Sequence, residues 1–374
     1  MITFAEIEMH MKLSTIIREL ERLAPPDLQE SYDNSGLITG NAQMDITGAL
    51  ICLDSIEAVL DEAIRKNCNL IVAHHPIVFS GLKKITGKNY IERVIIKAIK
   101  NDIAIYAIHT NLDNVWEGVN QKMAEKIGLI NCRILSPMDG KLLKLVTYCP
   151  TASAEKVSEA MFAAGAGHIG KYSECSFKME GTGTFKAGNE ANPYVGEKNI
   201  RHSEAEIRIE VILESRQKNK VLEALRNSHP YEEIAYDIYR LENKNALTGA
   251  GMIGELPEAV NPDEFLKTLK INIKTNCIRY TSHFGKPIQK VAICGGSGSF
   301  LLAEAIAGGA DIFITGDFKY HQFFDADGKI IIADVGHFES EQHTIELLGG
   351  WLREIFPTFA VHLTEINTNP INYI

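Results

Sequence analysis

The sequence predicts an α/β protein with doubly wound parallel sheets in two parts and a smaller α+β domain inserted between them. In both outer parts, roughly 13–127 and 262–355, short apolar runs alternate with stretches of helical periodicity, which is typical of βαβ units and a parallel sheet. Between them, about 140–245 follows a β-α-β-β-α-β order that is typical of a ferredoxin-like module. The predicted domain limits are 1–138, 139–247 and 248–374.

The first part alternates strands and helices. Residues 13–23 carry apolar side chains at helical spacing, and Pro25 and Pro26 stop that helix. Ser55 is a good N-cap for helix 56–66, because its hydroxyl can accept a hydrogen bond from a free N–H of the first turn. The other predicted elements are a short strand from Leu37, strand 48–54, strand 70–73, helix 90–101, strand 103–108 and helix 118–127.

The inserted domain has a glycine-rich stretch, 165–185, after its first helix. Glu206–Leu213 then alternates charged and apolar residues, as a half-buried strand does. Gly249, Gly251 and Gly254 mark the exit from the domain. The predicted elements are strand 142–148, helix 153–165 capped by Thr151 or Ser153, strand 206–213, helix 218–228 and strand 234–241.

The last part resumes the α/β rhythm. Asn261 caps a helix with Pro262 at its first position, where the missing N–H of proline costs nothing. The apolar run 290–294 ends in the turn Gly295-Gly296-Ser297-Gly298. The predicted elements are helix 262–269, strand 290–294, helix 300–308, strand 311–314, strand 330–333 and helix 341–355.

Composition indicates a globular protein that is held neither on nucleic acid nor in a membrane. The 374 residues are 45% hydrophobic and 23% charged, and the net charge of −10 argues against a general basic surface. No apolar segment approaches membrane-spanning length. Seven cysteines without a CxxC are read as reduced thiols, and the acidic start lacks the basic and apolar regions of a signal peptide. We therefore expect a cytoplasmic protein. Its start codon is left open, because Met9 and Met11 are alternatives to Met1.

Two adjacent histidines, His74 and His75, end the buried strand 70–73, and Pro76 prevents the strand from continuing. Ligand sites of α/β sheets open at the carboxyl ends of strands, and imidazole is a common metal ligand. Neighbouring side chains of a regular strand point to opposite faces. In the irregular turn before Pro76, however, each histidine could bind its own ion. The alternative is that the pair only caps a buried strand.

Three more residues lie just beyond apolar strands, namely Asp113, His337 and Glu341. With His74 and His75 they offer three imidazoles and two carboxylates, a set that suits Zn, Fe, Mn or Ni. A carboxylate can bridge two ions and a bridging water would become a nucleophile near neutral pH. His337 and Glu341 stand four apart, on one face of a helix. Glu339 and His343 repeat that spacing on another face, and we expect them to be exposed or to act only behind the ligands.

Three further features could contribute. Asp317 and His321, four apart beyond an apolar strand, are candidates for acid–base catalysis or substrate contact. His109 is expected to support the ligand Asp113 from behind. The glycine turn at 295–298 could aim backbone N–H groups at a phosphate. A plain tight turn is the alternative, because the turn lacks both dinucleotide-binding and Walker spacing.

Six motifs in order give the chain its resemblance to the NIF3-like family, also labelled GTP cyclohydrolase I type 2. They occupy the outer parts, and the insertion resembles the PII/CutA-type module of the long bacterial members. Tyr32 departs from the pattern, which has Trp before Asp-Asn. The motifs are Asp33-Asn34-Ser35-Gly36-Leu37, Ala73-His74-His75-Pro76, His109-Thr110-Asn111-Leu112-Asp113, Gly295-Gly296-Ser297-Gly298, Thr315-Gly316-Asp317 with Lys319-Tyr320-His321, and Asp334-Val335-Gly336-His337 with Glu341.

The resemblance implies a dinuclear site with two divalent ions per subunit, Zn, Fe or Mn. His74 and Asp113 would bind one ion, His75 and His337 the other, and Glu341 would bridge them. It also implies a homohexameric ring of dimers or trimers whose openings the insertion covers. The leading hypothesis is a metal-dependent hydrolase that opens the imidazole ring of GTP or a related purine nucleotide at C8 and releases formate. The alternatives are a metal-binding regulatory or scaffold protein with a ligand-sensing insertion, and a two-metal nucleotide phosphoesterase.

Overall fold

The computed structural model describes residues 11–283 and 285–374. The chain divides into two compact units. The outer unit comprises the residues up to Ser136 together with Leu247–Ile374, and the inserted unit comprises Pro137–Ala246. The candidate start codon Met9 lies outside the described residues. No described helix is both long and apolar enough to cross a membrane.

The first segment of the outer unit alternates strands and helices, with a short 3-10 helix at Pro26–Leu28. Helix Leu13–Leu23 has the predicted limits, and its apolar stripe is buried. The elements are β1 (Met11–Lys12), α1 (Leu13–Leu23), β2 (Gly36–Thr39), β3 (Asp45–Ile46), β4 (Ala49–Cys52), α2 (Glu57–Arg65), β5 (Leu70–Ala73), α3 (Tyr90–Lys100), β6 (Ala104–Ala107), α4 (Thr110–Asp113), α5 (Val119–Ile127) and β7 (Ile130–Pro137).

The inserted unit has the predicted β-α-β-β-α-β order, and its glycine-rich stretch continues into a strand. The elements are β8 (Leu142–Pro150), α6 (Ala154–Ala163), β9 (Ser176–Lys186), β10 (Arg201–Glu214), α7 (Lys218–Ser228) and β11 (Tyr236–Arg240). The four strands form one antiparallel sheet in the order β11-β8-β10-β9. Helices α6 and α7 pack with one face of this sheet in a separate hydrophobic core.

The last segment returns to the outer unit. Asn261 caps helix α8 by accepting a hydrogen bond from the Asp263 N–H, as predicted. The elements are β12 (Gly249–Val260), α8 (Pro262–Asn272), β13 (Arg279–Tyr280), β14 (Ile288–Ser297), α9 (Leu302–Ala307), β15 (Ile312–Gly316), β16 (Ile331–Asp334), α10 (His337–Glu341), α11 (Thr344–Ile355) and β17 (Val361–Leu363).

The five-stranded sheet of the outer unit, ordered β17-β4-β5-β6-β2, has helices on both faces. Its three central strands are fully buried apolar runs, as expected of strands covered on both sides. Leu50 and Ile71 pack with α2 and α3 in one hydrophobic cluster. On the other face Ile51 lies beside Gly349 of α11. The pairs β17–β4, β4–β5 and β5–β6 are parallel as predicted, whereas β2 runs antiparallel to β6 at the edge of the sheet.

The six-stranded sheet, ordered β13-β16-β15-β14-β12-β7, has the same design. Strands β14, β15 and β16 are parallel, whereas β12 and β13 are antiparallel to their neighbours. The glycines that we read as a domain exit belong to β12. At Gly251 a Cβ would come within 2.8 Å of Leu301 and 2.9 Å of the Ile293 carbonyl, and at Gly254 within 2.7 Å of Cys132. Close packing therefore requires Gly251 and Gly254 to lack side chains.

Two helix predictions were wrong in detail. Helix α2 begins after Ile56, not after Ser55, and the buried Ser55 hydroxyl has no hydrogen-bond partner among the described residues. The predicted helix 341–355 is two helices, because α10 ends at Glu341 and α11 begins at Thr344. The break separates Glu341 from the long amphipathic helix. Because of this break, α10 has its own direction, and its side chains His337 and Glu341 point toward the strand ends.

Glu62 forms hydrogen bonds that hold the chain after β17 against the five-stranded sheet. Strand β17 pairs in parallel with β4, and the chain beyond it runs past α2. The carboxylate of Glu62 is fully buried there. It accepts hydrogen bonds from the Thr364 hydroxyl and from the Glu365 N–H at 2.9 Å, and Lys66 Nζ lies 2.7 Å away. One side chain therefore satisfies three donors around the last strand.

Glu62→Ala should lower the free energy of unfolding by about 1–3 kcal/mol, because it leaves buried donors without an acceptor. Urea unfolding followed by circular dichroism measures this difference. Asp61→Ala is the matched control on the same helix. Its exposed pair with Lys97 should be worth no more than about 1 kcal/mol. Equal losses in the two variants would contradict the assignment.

The loss in Glu62→Ala should also depend on pH. Burial acts to raise the pKa of Glu62, but Lys66 and Thr364 outweigh it, so the pKa lies below the ordinary value of 4.5. A carboxylate whose pKa is depressed by folding stabilises the protein above its unfolded pKa and loses that contribution as pH falls through the folded pKa. The difference between parent and variant should therefore shrink below pH 4.5. A difference that grows on acidification would be inconsistent with this sign.

Candidate metal centre

The strand ends of both outer sheets bring the five predicted ligands together. Residues His74 and His75 directly follow β5, and Asp113 ends the short helix α4 that follows β6. From the second sheet, β16 is followed by Gly336 and then by α10, which carries His337 and Glu341. Gly336 has a φ of +96°, and a Cβ there would overlap the Glu339 carboxylate. The chain can therefore turn from strand into helix within two residues.

Glu341 lies at the centre of the group. Its Oε1 is 3.7 Å from His74 Nε2, and the same nitrogen is 3.7 Å from Asp113 Oδ1. Its Oε2 is 3.0 Å from His75 Nε2 and 3.1 Å from His337 Nε2. Among the described residues, the ligand atoms of His74, His75 and Glu341 all lie within 4.8 Å of one another. The two oxygens of one carboxylate thus face two different sets of side chains.

Each imidazole is oriented through its other nitrogen. His74 Nδ1 lies 2.8 Å from the Ile108 carbonyl, which can only accept, so Nδ1 carries the proton and Nε2 presents a lone pair. His75 Nδ1 is 2.8 Å from Asp54, and His337 Nδ1 is 2.7 Å from Asp317. An acceptor behind each ligating histidine is typical of metal sites. All three Nε2 atoms consequently point to the centre.

Two buried polar atoms in this group have no hydrogen-bond partner within the described part of the chain, His74 Nε2 and Asp113 Oδ1. Burial of an unpaired polar atom is unfavourable unless something else compensates it. Burial and the neighbouring Glu341 also raise the pKa of Asp113 well above its usual value. A lone pair and a carboxylate oxygen that face each other without a proton donor are what a divalent cation requires. The residues therefore fit a metal ion.

The remaining histidines are surrounded by negative charge. Burial acts to lower the pKa of His75, but Asp54 and Glu341 outweigh it and raise the value to about 10. At His337 burial is likewise outweighed, by Glu341 and Asp317, and the pKa rises to about 11. Burial would raise the pKa of Glu341, yet His337 and its neighbours hold it well below its usual range. Such a group favours positive charge at its centre, which protons or metal ions can supply.

The glycine turn after β14 makes room for Glu341 instead of binding phosphate. A Cβ at Gly296, where φ is +63°, would overlap Glu341 Oε1. The N–H of Gly295 donates to Asn120 and that of Gly296 donates to Ser340, at 3.0 and 2.9 Å. The N–H of Gly298 donates to Thr315 at 2.9 Å. Because these three donors are already used inside the protein, the structure contradicts a phosphate cradle built on them.

His109 lies beside His74 and His75, and its expected support of Asp113 stays a prediction. Its ring centroid is 5.4 Å from those of His74 and His75, and its Nδ1 is 2.8 Å from Asp33 Oδ1. Asp33 also accepts hydrogen bonds from Ser35 and Thr110. Burial acts to raise the pKa of Asp33, but the hydrogen bonds from His109 and Thr110 outweigh it and lower the pKa strongly. Sequence reasoning quoted Asp33 in a motif but gave it no role.

Asp54 was missed altogether, although it follows strand β4 as the ligands follow theirs. Its Oδ1 faces His75 Nδ1, and its Oδ2 accepts a hydrogen bond from the Thr368 hydroxyl at 2.6 Å. Burial acts to raise the pKa of Asp54, but the contact with His75 outweighs it and lowers the value. The signal that identified Asp113, a carboxylate just beyond an apolar strand, could have identified it.

The other predicted residues have different positions. Asp317, in a left-handed conformation with φ of +59°, supports His337 from behind. His321 is exposed, and its ring contacts are with Tyr320 and Phe324. Glu339 and His343 are both buried, which excludes the exposed alternative, and that they act only behind the ligands stays a prediction. Glu339 instead accepts a hydrogen bond from Asn369 at 3.0 Å.

The group opens into a cavity of about 690 Å³ in the outer unit. The side chains of Asp113, His75 and His337 line it together with His109. Three exposed aromatic rings, Tyr32, Phe79 and Phe300, also line it, and the first two lie 6.2 Å apart. None of the described residues that line the cavity is a lysine or an arginine.

Proteins of known sequence resemble this chain along almost all of its length. A protein of Halalkalibacterium halodurans named GTP cyclohydrolase 1 type 2 homolog is 40% identical over 366 residues, which cover 96% of this chain and 98% of that protein. A Bacillus subtilis protein of the same name is 35% identical over 364 residues, again 96% and 98% of the two chains.

Solved structures show the same fold. A Bacillus cereus protein related to NIF3 superposes with a TM-score of 0.85 at 36% identity, covering 97% of this chain and 99% of its own. The Staphylococcus aureus protein SA1388 gives 0.79 at 29% identity, covering 98% and 99%. A family model for Duf34/NIF3 (NGG1p interacting factor 3) matches residues 11–370. The chain therefore belongs to the Duf34/NIF3 family.

Proposed function

We propose that this chain binds two divalent metal ions and is a metal-dependent hydrolase of GTP or a related purine nucleotide. The observation that carries the proposal is that the two carboxylate oxygens of Glu341 face different sets of side chains. One oxygen faces His74, whose Nε2 is unpaired, and the other faces His75 and His337. His74 with Asp113 would hold one ion, His75 with His337 the other, and Glu341 would bridge them.

When bound, such ions polarise the attacked group and lower the pKa of a water molecule, so that hydrolysis proceeds near neutral pH. The protein's own residues supply orientation. The Ile108 carbonyl, Asp54 and Asp317 fix the three imidazoles through Nδ1. In the proposed reaction one water opens the imidazole ring of the purine at C8, and a second releases that carbon as formate.

The cavity supports a substrate with a flat ring. Tyr32, Phe79 and Phe300 offer aromatic faces on which a base can stack. A nucleotide also carries negative phosphates, and no lysine or arginine is found among the described lining residues. The bound cations would therefore have to offset the carboxylates before a nucleotide could enter. The name of the relatives, GTP cyclohydrolase 1 type 2 homolog, agrees with a purine nucleotide.

The homohexameric ring, and a likeness of the inserted unit to PII and CutA proteins, remain proposals that rest on the family resemblance.

Metal content tests the ligand set. The parent protein, stripped and reloaded with Zn, Fe or Mn, should contain two ions per chain by elemental analysis. His75→Ala and Glu341→Ala should each contain one ion or fewer, because each removes a donor from the shared centre. His321→Ala, at an exposed histidine of the same unit, should retain both ions. If all three variants lose metal equally, or none does, the ligand assignment fails.

Asp317→Asn tests the orientation of His337. The amide can offer its NH₂ group where an acceptor is needed, so we expect about ten- to hundredfold weaker binding of the ion at His337. A metal titration measures this, and excess metal should restore the full ion count. Asp327→Asn is the matched control, because Asp327 is exposed and pairs only with Lys329 at 2.8 Å among the contacts described for it. An unchanged metal affinity in Asp317→Asn would show that Asp317 does not orient His337 for binding.

Formate release tests the reaction. Metal-loaded parent protein should release formate from GTP, whereas metal-free protein and reloaded Glu341→Ala should lose at least about 99% of that rate, since loss of a group that acts on the transition state typically costs about a hundredfold or more. Release of phosphate without formate would replace the proposal by a nucleotide phosphoesterase. No turnover with any metal, alongside two bound ions, would leave a regulatory metal-binding protein.

A further inference from the structure

The inserted unit has a cavity of its own, of about 960 Å³. This volume is typical of sites for small molecules. Ile207 and Ile209 of β10 point into the core beneath α6 and α7. Successive side chains of a strand point to opposite faces, so Glu206 and Arg208 point to the other face, where both line the cavity. The cavity therefore lies on the face of the sheet that has no helices.

Two glycines of β9 keep the floor of this cavity open. Gly181 pairs with Glu206 across the strands, and a Cβ at Gly181 would meet nothing within 4 Å. A Cβ at Gly183 would overlap the carboxylate of Glu206. Without side chains at these positions, the Glu206 carboxylate can lie across the sheet. A negative charge is thus placed on the floor of a partly open cavity.

Aromatic rings from three segments form the walls. Tyr231 lies at the centre, and its ring centroid is 6.2 Å from that of Phe185 in β9 and 6.2 Å from that of Tyr194 in the loop after β9. Its hydroxyl donates a hydrogen bond to Glu206 Oε1 at 2.8 Å. The loop is fastened in turn, because the Asn192 N–H donates to Glu232 at 2.7 Å. The rings and the carboxylate are therefore held in place by contacts inside the unit.

The charge of the cavity is negative. Apart from Glu180 and Lys186, whose side chains alternate to the helix-covered face of β9, its charged lining residues are Glu190, Glu206, Glu232 and Glu233, against Arg208. Arg208 is already paired with Glu210 at 2.7 Å. Its Nε, however, is buried without a hydrogen-bond partner among the described residues. The cavity consequently offers carboxylates and aromatic faces to a cation, and one N–H donor to an oxygen atom.

We propose that the inserted unit binds a small organic cation, an amine or a quaternary ammonium ion. Aromatic faces attract organic cations through the negative charge of their π-systems, and carboxylates add a direct attraction. The unpaired Nε–H of Arg208 would favour a ligand that also carries a hydroxyl or carbonyl oxygen. The proposal goes beyond the metal-dependent reaction and does not depend on it, because every residue that carries it belongs to the inserted unit.

Calorimetric titration of the full chain tests the proposal with two cations, choline and spermidine. The uncharged isostere of choline, 3,3-dimethylbutan-1-ol, serves as the ligand control. At least one cation should bind, and if choline binds, its isostere should bind at least about tenfold more weakly. The choice between choline and spermidine then distinguishes a quaternary ammonium site from a polyamine site.

Two variants locate the binding. Glu206→Gln keeps the shape of the side chain and removes its charge, and Tyr194→Ala removes a ring that is 61% exposed. Each should weaken binding of the cation about tenfold or more. Glu223→Gln makes the same charge change at an exposed position of α7, away from the cavity, and should leave the affinity unchanged. Unaltered circular dichroism would show that the variants are folded.

The remaining outcomes overturn the proposal. If neither cation binds the parent at millimolar concentration, or if binding survives both cavity variants, the cavity is not the site of an organic cation. A different result would be that neither protein binds a cation, while an anion such as ATP binds more tightly to Glu206→Gln than to the parent. The cavity would then be a site for an anion and not for a cation.

Discussion

The buried carboxylate of Glu341 is the constraint on which the outer unit depends. A carboxylate taken out of water is strongly destabilising unless positive charge and hydrogen bonds compensate it. Glu341 is almost fully buried, and its partners come from both sheets. Other features follow from this centre. Gly296 is left without a side chain so that the carboxylate fits, and the helix that carries Glu341 ends there and does not continue into α11.

The adjacency of His74 and His75 is explained by the same centre. In a regular strand their rings would point to opposite faces, but β5 ends at Ala73, and the two ring centroids lie 4.9 Å apart. Their environments nevertheless differ. His74 is fully buried against a neutral carbonyl, and burial lowers its pKa. His75 lies between two carboxylates, which raise its pKa to about 10. Two neighbouring residues thus place one imidazole in an apolar environment and one in an acidic environment.

The sequence predicted the parts of the fold and site that depend on local pattern. Periodicity placed helix Leu13–Leu23 to the residue, and the rule that polar residues follow buried strands singled out Glu341 and the four residues that the structure brings together around it. What it missed depends on contacts between distant segments. Strand β12 was not predicted, because glycines are unfavourable inside a strand by local pattern, and here packing against Leu301 and Cys132 requires them. Ser55 lost its capping role because the turn after β4 places Ile56 at the start of the helix.

The two cavities described above are rich in carboxylates, and the groups placed beside the carboxylates distinguish them. In the outer unit the partners are imidazole nitrogens with lone pairs directed to one point, at distances of 3.0 to 3.7 Å from Glu341. Lone pairs that converge in this way suit a small ion that makes directional bonds. In the inserted unit the partners are aromatic rings about 6.2 Å apart, which offer broad faces and no lone pairs. Such faces suit a large cation that is weakly hydrated. Because the two units have separate hydrophobic cores, a change at one site can be made without rebuilding the other.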